Sequence, residues 1–269
     1  ITYFEFLLNA EVSWSSDQTI MSTPLVVADR RAFATATRAG DVLDGPRVLL
    51  EGRGETLIED LLIEHNQLFG GIDAVAVTAY DSPAKSIANN RWVWPVTTGE
   101  NIQLFFGPQQ RVTKRLIDAV YSARSNAWIL TDDFANEGLA FALQAKAEQG
   151  FDMQVVVGPR FGSSAADLSD LLLADSPDVG VRQVDSGRMP TIVLLDTEED
   201  ANGRTWPARV FVLTHDLYSA GRLYDDDEVL TDQFVDGLMW VIDDHDHDAA
   251  SADALEQLYS DLSSSAREL

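Results

Sequence analysis

GRMPTIVLLDTEEDANGRTWPARVFVLTHDLYSAG, from Gly187 to Gly221, holds two continuous apolar runs, Thr191–Leu195 and Arg209–Leu213. Each has the length of a strand. Unbroken apolarity, rather than alternation, is the pattern of strands covered on both faces. Polar side chains close each run, Asp196 after the first and Thr214, His215 and Asp216 after the second. The expectation is that these residues converge on one surface, as the lining of a pocket at strand ends.

Around this stretch the composition sets bounds. The chain has 269 residues, 45% hydrophobic and 9% aromatic, enough for a real core and too apolar for a disordered chain. No apolar run reaches the roughly 18 residues that a membrane span needs, so membrane insertion is not expected. Net charge is −25, from 44 acidic and 19 basic residues, and Lys85, Lys114 and Lys146 are the only lysines. Such a field repels nucleic acid and anionic membranes, so no nucleic-acid partner is expected. A lysine-poor, acidic surface fits a high-salt habitat and a GC-rich genome alike. With no cysteine, disulfides and thiolate chemistry are excluded. No cofactor is implied. Ile1 stands where a Met would, ahead of the apolar ITYFEFLL, which leads to the expectation that a signal peptide or a longer N-terminal piece has been removed. An extracytoplasmic location is favoured over a cytoplasmic one.

In chain order, Ile1–Leu8 reads as a strand, as do Pro24–Ala28, Ala32–Thr37 and Val48–Glu51. Glu55–Phe69 places Leu57, Leu61, Leu62, His65, Leu68 and Phe69 at helical spacing, with Gly70 as a stop. Ile72–Tyr80 and Arg91–Val96 read as strands, and Thr97–Asn101 as a linker. Then strand and helix alternate: Ile102–Phe106, Gln109–Arg124, Ala127–Leu130, Asn136–Gln149 and Met153–Val157. That alternation predicts an α/β sheet with crossover helices. A turn at Gly158–Ser164 opens a helix through Leu173; Val179–Val184 and Gly237–Ile242 read as strands. Asp243–Asp248 reads as a charged link to a closing helix, Asp253–Leu262.

The unit of apolar run, Asp, apolar run and polar tip occurs twice, in PLVVADRRAFATATRAGD (24–41) and in 191–217. Two such units in one chain resemble the phospholipase D superfamily, in its two-motif, cardiolipin-synthase-like form. There H-x-K-x4-D is followed by a strand ending in G-S-x-N. VLLEGRGETLIEDLLIEHNQLF (48–69) and IQLFFGP (102–108) are similar to segments that follow the first motif and open the second half in that family. The resemblance implies a mixed sheet with helices on both faces, pseudo-duplicated, with residues 1–100 as the C-terminal part of an incomplete first half and 101–269 as the second. It implies a partner as well: a fragment of the same precursor, or another subunit, covering 1–8 and 24–37.

The reactive positions are replaced. With Asp196 matched to the motif Asp, Met189 stands at the histidine position and Thr191 at the lysine position, and G-S-x-N reads Leu213-Thr214-His215-Asp216. With Asp29 as anchor of the first motif, Ser22 and Pro24 take the same two places and Arg38 lies near the asparagine position. In the family one histidine attacks phosphorus, the other protonates the leaving oxygen, and lysines and asparagines stabilise the charge that develops. Ser22, Pro24, Met189 and Thr191 supply none of this, and Asp216 would repel a phosphate oxygen. The expectation is therefore a catalytically inactive protein of this type, a structural or binding module whose degenerate site is Ser22, Pro24, Arg38, Met189, Thr191, Thr214, His215 and Asp216.

Two other readings compete. His215 beside Asp216 would be the nucleophile or base of a divergent phosphodiesterase, although a histidine next to an aspartate is more often simply a satisfied polar group. An acidic extracytoplasmic protein would bind a cation or partner through Asp225–Glu228 and Asp243–Asp248, runs that lack EF-hand spacing and read by default as solvated loops. Gly158–Ser164 could hold an anion, but Ser163 or Ser164 as a plain N-cap accounts for it. Trp14, Trp92 and Trp206 lie in polar context, where they would line a groove. No metal site is expected.

Overall fold

The two apolar runs lie side by side at the centre of a nine-stranded mixed sheet. The computed structural model describes residues 20–21, 25–28, 31–35, 48–53, 55–68, 92–93, 101–107, 112–132, 134–159, 178–185, 187, 189–215, 217–218, 235–244 and 250–269. Its strands are β1 (Ile20–Met21), β2 (Leu25–Ala28), β3 (Arg31–Thr35), β4 (Leu49–Arg53), β5 (Trp92–Val93), β6 (Asn101–Phe106), β7 (Asn126–Thr131), β8 (Phe134–Ala135), β9 (Asp152–Val157), β10 (Val179–Gln183), β11 (Thr191–Leu195), β12 (Ala208–Leu213), β13 (Leu217–Tyr218), β14 (Val235–Asp236), β15 (Leu238–Asp244) and β16 (Arg267–Glu268). Its helices are α1 (Glu55–Leu68), α2 (Val112–Ser122), α3 (Glu137–Ala147) and α4 (Ala250–Ser265).

The large sheet has the order β16-β10-β9-β7-β11-β12-β15-β6-β5. Strands β10, β9 and β7 are parallel to one another, and every pair from β7 to β5 is antiparallel. Central β11 is buried at all five residues, which is why its apolar run does not alternate. On one face Val112, Leu116 and Val120 of α2 and Leu139 and Leu143 of α3 pack on Ile129, Val155, Val193 and Phe211. On the other, Leu57, Ile58 and Leu61 of α1 and Ala252, Leu255 and Tyr259 of α4 pack on Leu104, Ile192, Val210 and Trp240. This is the expected mixed sheet with helices on both faces. Full burial of Ile192, Val193, Leu194 and Leu195 stabilises the fold by about 1.5–3 kcal/mol each.

Strands β2, β3 and β4 form a separate antiparallel sheet, Ala28 pairing with Arg31 across a two-residue link. Both copies of the repeated unit are thus antiparallel hairpins, one closed by residues 29–30 and the other by 196–207. The expected boundary near residue 100 lies between β5 and β6, which pair with each other, and Val48 and α1 share a core cluster with the large sheet.

Local signals place most boundaries. Asn136 caps α3, its Oδ1 accepting from Leu139 N at 2.9 Å, and Gly150, at φ +86°, turns the chain after it. Two expectations need correction. The helix expected over 109–124 is α2, which ends at Ser122, since Ala123–Ser125 already form the link into β7. Of the strand expected over 91–96, Trp92 and Val93 form β5 and the other residues lie outside the described ones. The charged link expected from Asp243 begins later: β15 runs through Asp244, whose side chain is buried, and Asp243 pairs with Arg209. Residues 1–8, 72–80 and 160–173 lie outside the described residues.

Candidate functional site

Strand direction decides which residues meet. β6, β7, β9, β10 and β12 run one way, β11 and β15 the other. One edge of the sheet therefore gathers the carboxyl ends of the first set with the amino ends of β11 and β15, the place where open α/β sheets usually hold ligands. Met189, Thr191, Thr214 and His215 all lie at this edge.

Asp196 does not. Because β11 and β12 form a hairpin, the end of β11 and the end of β12 lie at opposite edges, about 17 Å apart along five residues. The expected convergence of Asp196 with Thr214 and His215 is thereby overturned. The residues that join Thr214 and His215 are those at the start of β11.

At the carboxyl edge, Thr191 faces Thr131 of β7, their hydroxyl oxygens 3.2 Å apart, and both side chains are fully buried. Met189 is buried in the apolar cluster under α1 and α4. Thr214 Oγ1 accepts from Leu238 N at 2.9 Å and donates to Leu238 O at 3.3 Å, so this hydroxyl is spent on fastening β12 to β15. His215 is buried with its imidazole packed against Gly237, Cδ2 nearest.

Asp132, which no motif marked, is buried at the end of β7 beside Gly158. Gly158 N donates to Thr131 O at 3.0 Å and Gly158 O accepts from Gln183 Nε2 at 3.1 Å, a lattice that ties the ends of β7, β9 and β10. The sequence signal for Asp132 was an apolar strand ending in Thr131-Asp132-Asp133, followed one strand later by a glycine.

A Cβ at Gly237 would overlap His215 Cδ2 and stand 2.7 Å from Nε2. Gly237→Ala is therefore expected to push the imidazole out of its seat. His215 should show a displaced Cδ2–H resonance, with a stability loss of about 1–2 kcal/mol. An unmoved resonance would mean that His215 has another seat.

The opposite edge is built differently. Asp196, at φ 59°, is buried and its Oδ1 accepts from Arg124 N at 2.6 Å and Ser125 N at 2.9 Å, while Oδ2 lies 3.8 Å from Arg209 Nη2. Asn126 Oδ1 accepts from Glu198 N at 3.0 Å. Asp200 accepts from Asn202 N, Arg204 N and Trp206 Nε1; the Arg204 N–H, above all, holds its carboxyl below the usual range. Trp206, expected to line a groove, instead lies under the Arg124 guanidinium at 4.4 Å and folds the hairpin link back on itself.

Ser22, Pro24, Arg38 and Asp216 lie outside the described residues, as do Asp29, Trp14, Asp225–Glu228 and residues 245–248. Backbone pairing nevertheless places what precedes Ser22: β1 runs parallel to β14, Met21 opposite Asp236, one residue before the Gly237 that seats His215. Among the described residues no three acidic or histidine side chains are grouped to hold a metal ion, and no described helix is long and apolar enough to cross a membrane.

No protein-family model and no curated protein sequence matches the chain. Solved structures do. Phosphatidylserine synthase from Haemophilus influenzae Rd KW20 superposes with TM-score 0.63 at 11% identity, covering 93% of this chain and 63% of that one. Polyphosphate kinase from Porphyromonas gingivalis gives 0.54 at 9% identity over 92% of this chain and 35% of that one. Nuc from Salmonella typhimurium, a phospholipase D family member, gives 0.47 at 14% identity over 63% of this chain and 98% of that one. At these identities the likeness is one of fold, an α/β fold shared with phosphatidylserine synthase.

Proposed function

We propose that this chain is a catalytically inactive protein of phospholipase D-like fold that serves as a structural or binding module. The start of β11 carries the reading. Where the resemblance assigns a histidine and a lysine, Met189 is buried among apolar side chains and Thr191 is engaged with Thr131. A thioether has no proton to give and forms no phosphoramidate; a neutral hydroxyl brings no charge to a phosphoryl oxygen. His215 sits at the end of the neighbouring strand, packed on Gly237.

The retained Asp196 fits the same reading, because its hydrogen bonds serve the architecture of the far edge. Removing nucleophile and acid together leaves only what binding and electrostatics provide. The purified protein is expected to hydrolyse neither bis(p-nitrophenyl) phosphate nor phosphatidylglycerol vesicles above background, and to form no acid-labile phosphoprotein. Turnover that vanishes in His215→Ala would replace this reading with that of a divergent phosphodiesterase.

A further inference from the structure

The link from β11 to β12 holds a reactive pair. Asn202-Gly203, within it, is the one Asn-Gly pair in the chain, and Ala201, Asn202, Gly203 and Arg204 are all exposed. An asparagine carboxamide is open to attack by the backbone nitrogen that follows it, and glycine, with no Cβ, leaves that nitrogen unhindered. Asparagine is counted among the thermolabile residues.

Here the attacking nitrogen is occupied. Gly203 N donates to Asp200 O at 2.8 Å, closing a β-turn over Asp200–Gly203. Asp200 Oδ1 accepts from Asn202 N at 2.8 Å and from Arg204 N at 3.0 Å, and Asp200 N donates to Arg204 O at 2.9 Å. One residue thus holds the chain on both sides of the Asn202–Gly203 peptide bond. Gly203, at φ 69°, keeps this closed form without the strain that a side chain would bring. Closing a ring on Asn202 needs Gly203 N turned toward Asn202 Cγ, which is incompatible with its N–H pointing at Asp200 O.

We propose that Asn202 is a site of spontaneous deamidation and that Asp200 is the residue that restrains it. When the turn opens, Gly203 N bonds to Asn202 Cγ, the Cγ–Nδ2 bond breaks, and the amide proton leaves with the amino group as ammonia. Water then opens the succinimide at either carbonyl, giving aspartate or isoaspartate. Water is the only co-reactant. The product adds one negative charge beside Asp200 in a chain already at −25. In its isoaspartate form the backbone is also longer by a methylene, so the turn does not reclose on Asp200. Trp206, whose Nε1 donates to Asp200 Oδ2 at 3.2 Å, then loses that anchor.

The test follows the full chain by mass spectrometry over days at mildly alkaline pH, reading the tryptic peptide Met189–Arg204, in which Asn202 is the only asparagine. The same peptide, incubated alone, gives the unrestrained rate. Asn202 in the full chain should convert roughly tenfold more slowly than in the peptide, as expected when hydrogen bonds must break before reaction. Asp200→Ala removes the shared Oδ1 acceptor and should bring the rate within about threefold of the peptide's. Asp200→Ser, whose hydroxyl still accepts, should fall between the two, and it carries the test if thermal unfolding shows that Asp200→Ala does not fold. Trp206→Phe loses the indole donor and leaves the N–H groups of the turn in place, so it should keep the parent's rate. Equal rates in parent and peptide, equal rates in parent and Asp200→Ala, or no conversion in Asp200→Ala while the peptide converts would each overturn the proposal. The link lies at the edge remote from Met189 and Thr191, so the outcome is independent of whether the carboxyl edge turns over phosphodiesters.

Discussion

Asp196→Ala is expected to destabilise the fold by about 3–4 kcal/mol, and Asp196→Asn by only about 1–2 kcal/mol. Alanine leaves the backbone N–H groups of Arg124 and Ser125 without their acceptor, the first part-buried and the second buried, at about 1–3 kcal/mol for each unsatisfied group. It also removes the carboxylate beside Arg209 and places a Cβ residue at φ 59°, where Asp and Asn are tolerated and Ala is disfavoured by about 1–2 kcal/mol. Asparagine keeps the Oδ1 acceptor and the backbone tolerance, losing only the charge. At about 3 °C per kcal/mol for a chain of this size, the alanine variant should melt about 10 °C below the parent. Equal melting of the two variants would refute the structural role assigned to this carboxylate. The experiment also bears on why the motif Asp persists where histidine and lysine do not, since it stands at the edge remote from the reactive positions.

Gly158→Ala should cost about 3 kcal/mol. A Cβ there would overlap Asp132 Oδ1, and it would also lie 2.8 Å from the Asp132 carbonyl oxygen and 3.0 Å from its Cα. Backbone atoms cannot rotate away as a side chain can. Nor can Gly158 retreat, because its N–H is bound to Thr131 and its carbonyl to Gln183. The double variant Gly158→Ala/Asp132→Ala removes the side-chain overlap and retains the backbone crowding, so it should recover only part of the loss. A Gly158→Ala protein within about 0.5 kcal/mol of the parent in urea unfolding would show that the ends of β7 and β9 are farther apart than described.

These two residues also mark what could be read from the chain. The runs that became β6, β7, β9, β11, β12 and β15 were legible because each carries enough consecutive apolar residues to fill a buried strand, and β10 because Val179 and Val181 alternate with a more exposed side. Glu55–Leu68 was legible from its spacing, and the end of α3 from Gly150 as its stop. What failed was direction. Two consecutive apolar runs reveal nothing of whether they pair as a hairpin, and antiparallel pairing sent Asp196 to the far edge.

The same gap hid Asp132. Its significance comes from Gly158, a residue 26 positions later that becomes its neighbour only when β7 and β9 align in parallel. Two-residue strands such as β13, which pairs with β8, carry no periodicity and owe their existence to distant partners. Met189 and Thr191, by contrast, were found because a motif fixes their distance from Asp196, whatever the direction of the strand.

The pairing of β1 with β14 joins Ile20 to Val235 and Met21 to Asp236, partners separated by 215 positions in the chain. A ribosome adds about 5–20 residues per second, so Ile20 and Met21 emerge roughly 10–40 s before the segment they join. Throughout that interval their pairing with Val235 and Asp236 cannot form, while α2, β7, α3 and β9 can form from neighbouring residues as they appear. The β1–β14 pairing is thus among the last contacts that synthesis permits. A nascent chain arrested before residue 235 would hold most of the α2–α3 face and lack this join. Whatever occupies Ile20 and Met21 in the meantime, a chaperone or another chain, competes with Val235 and Asp236 for the same backbone groups.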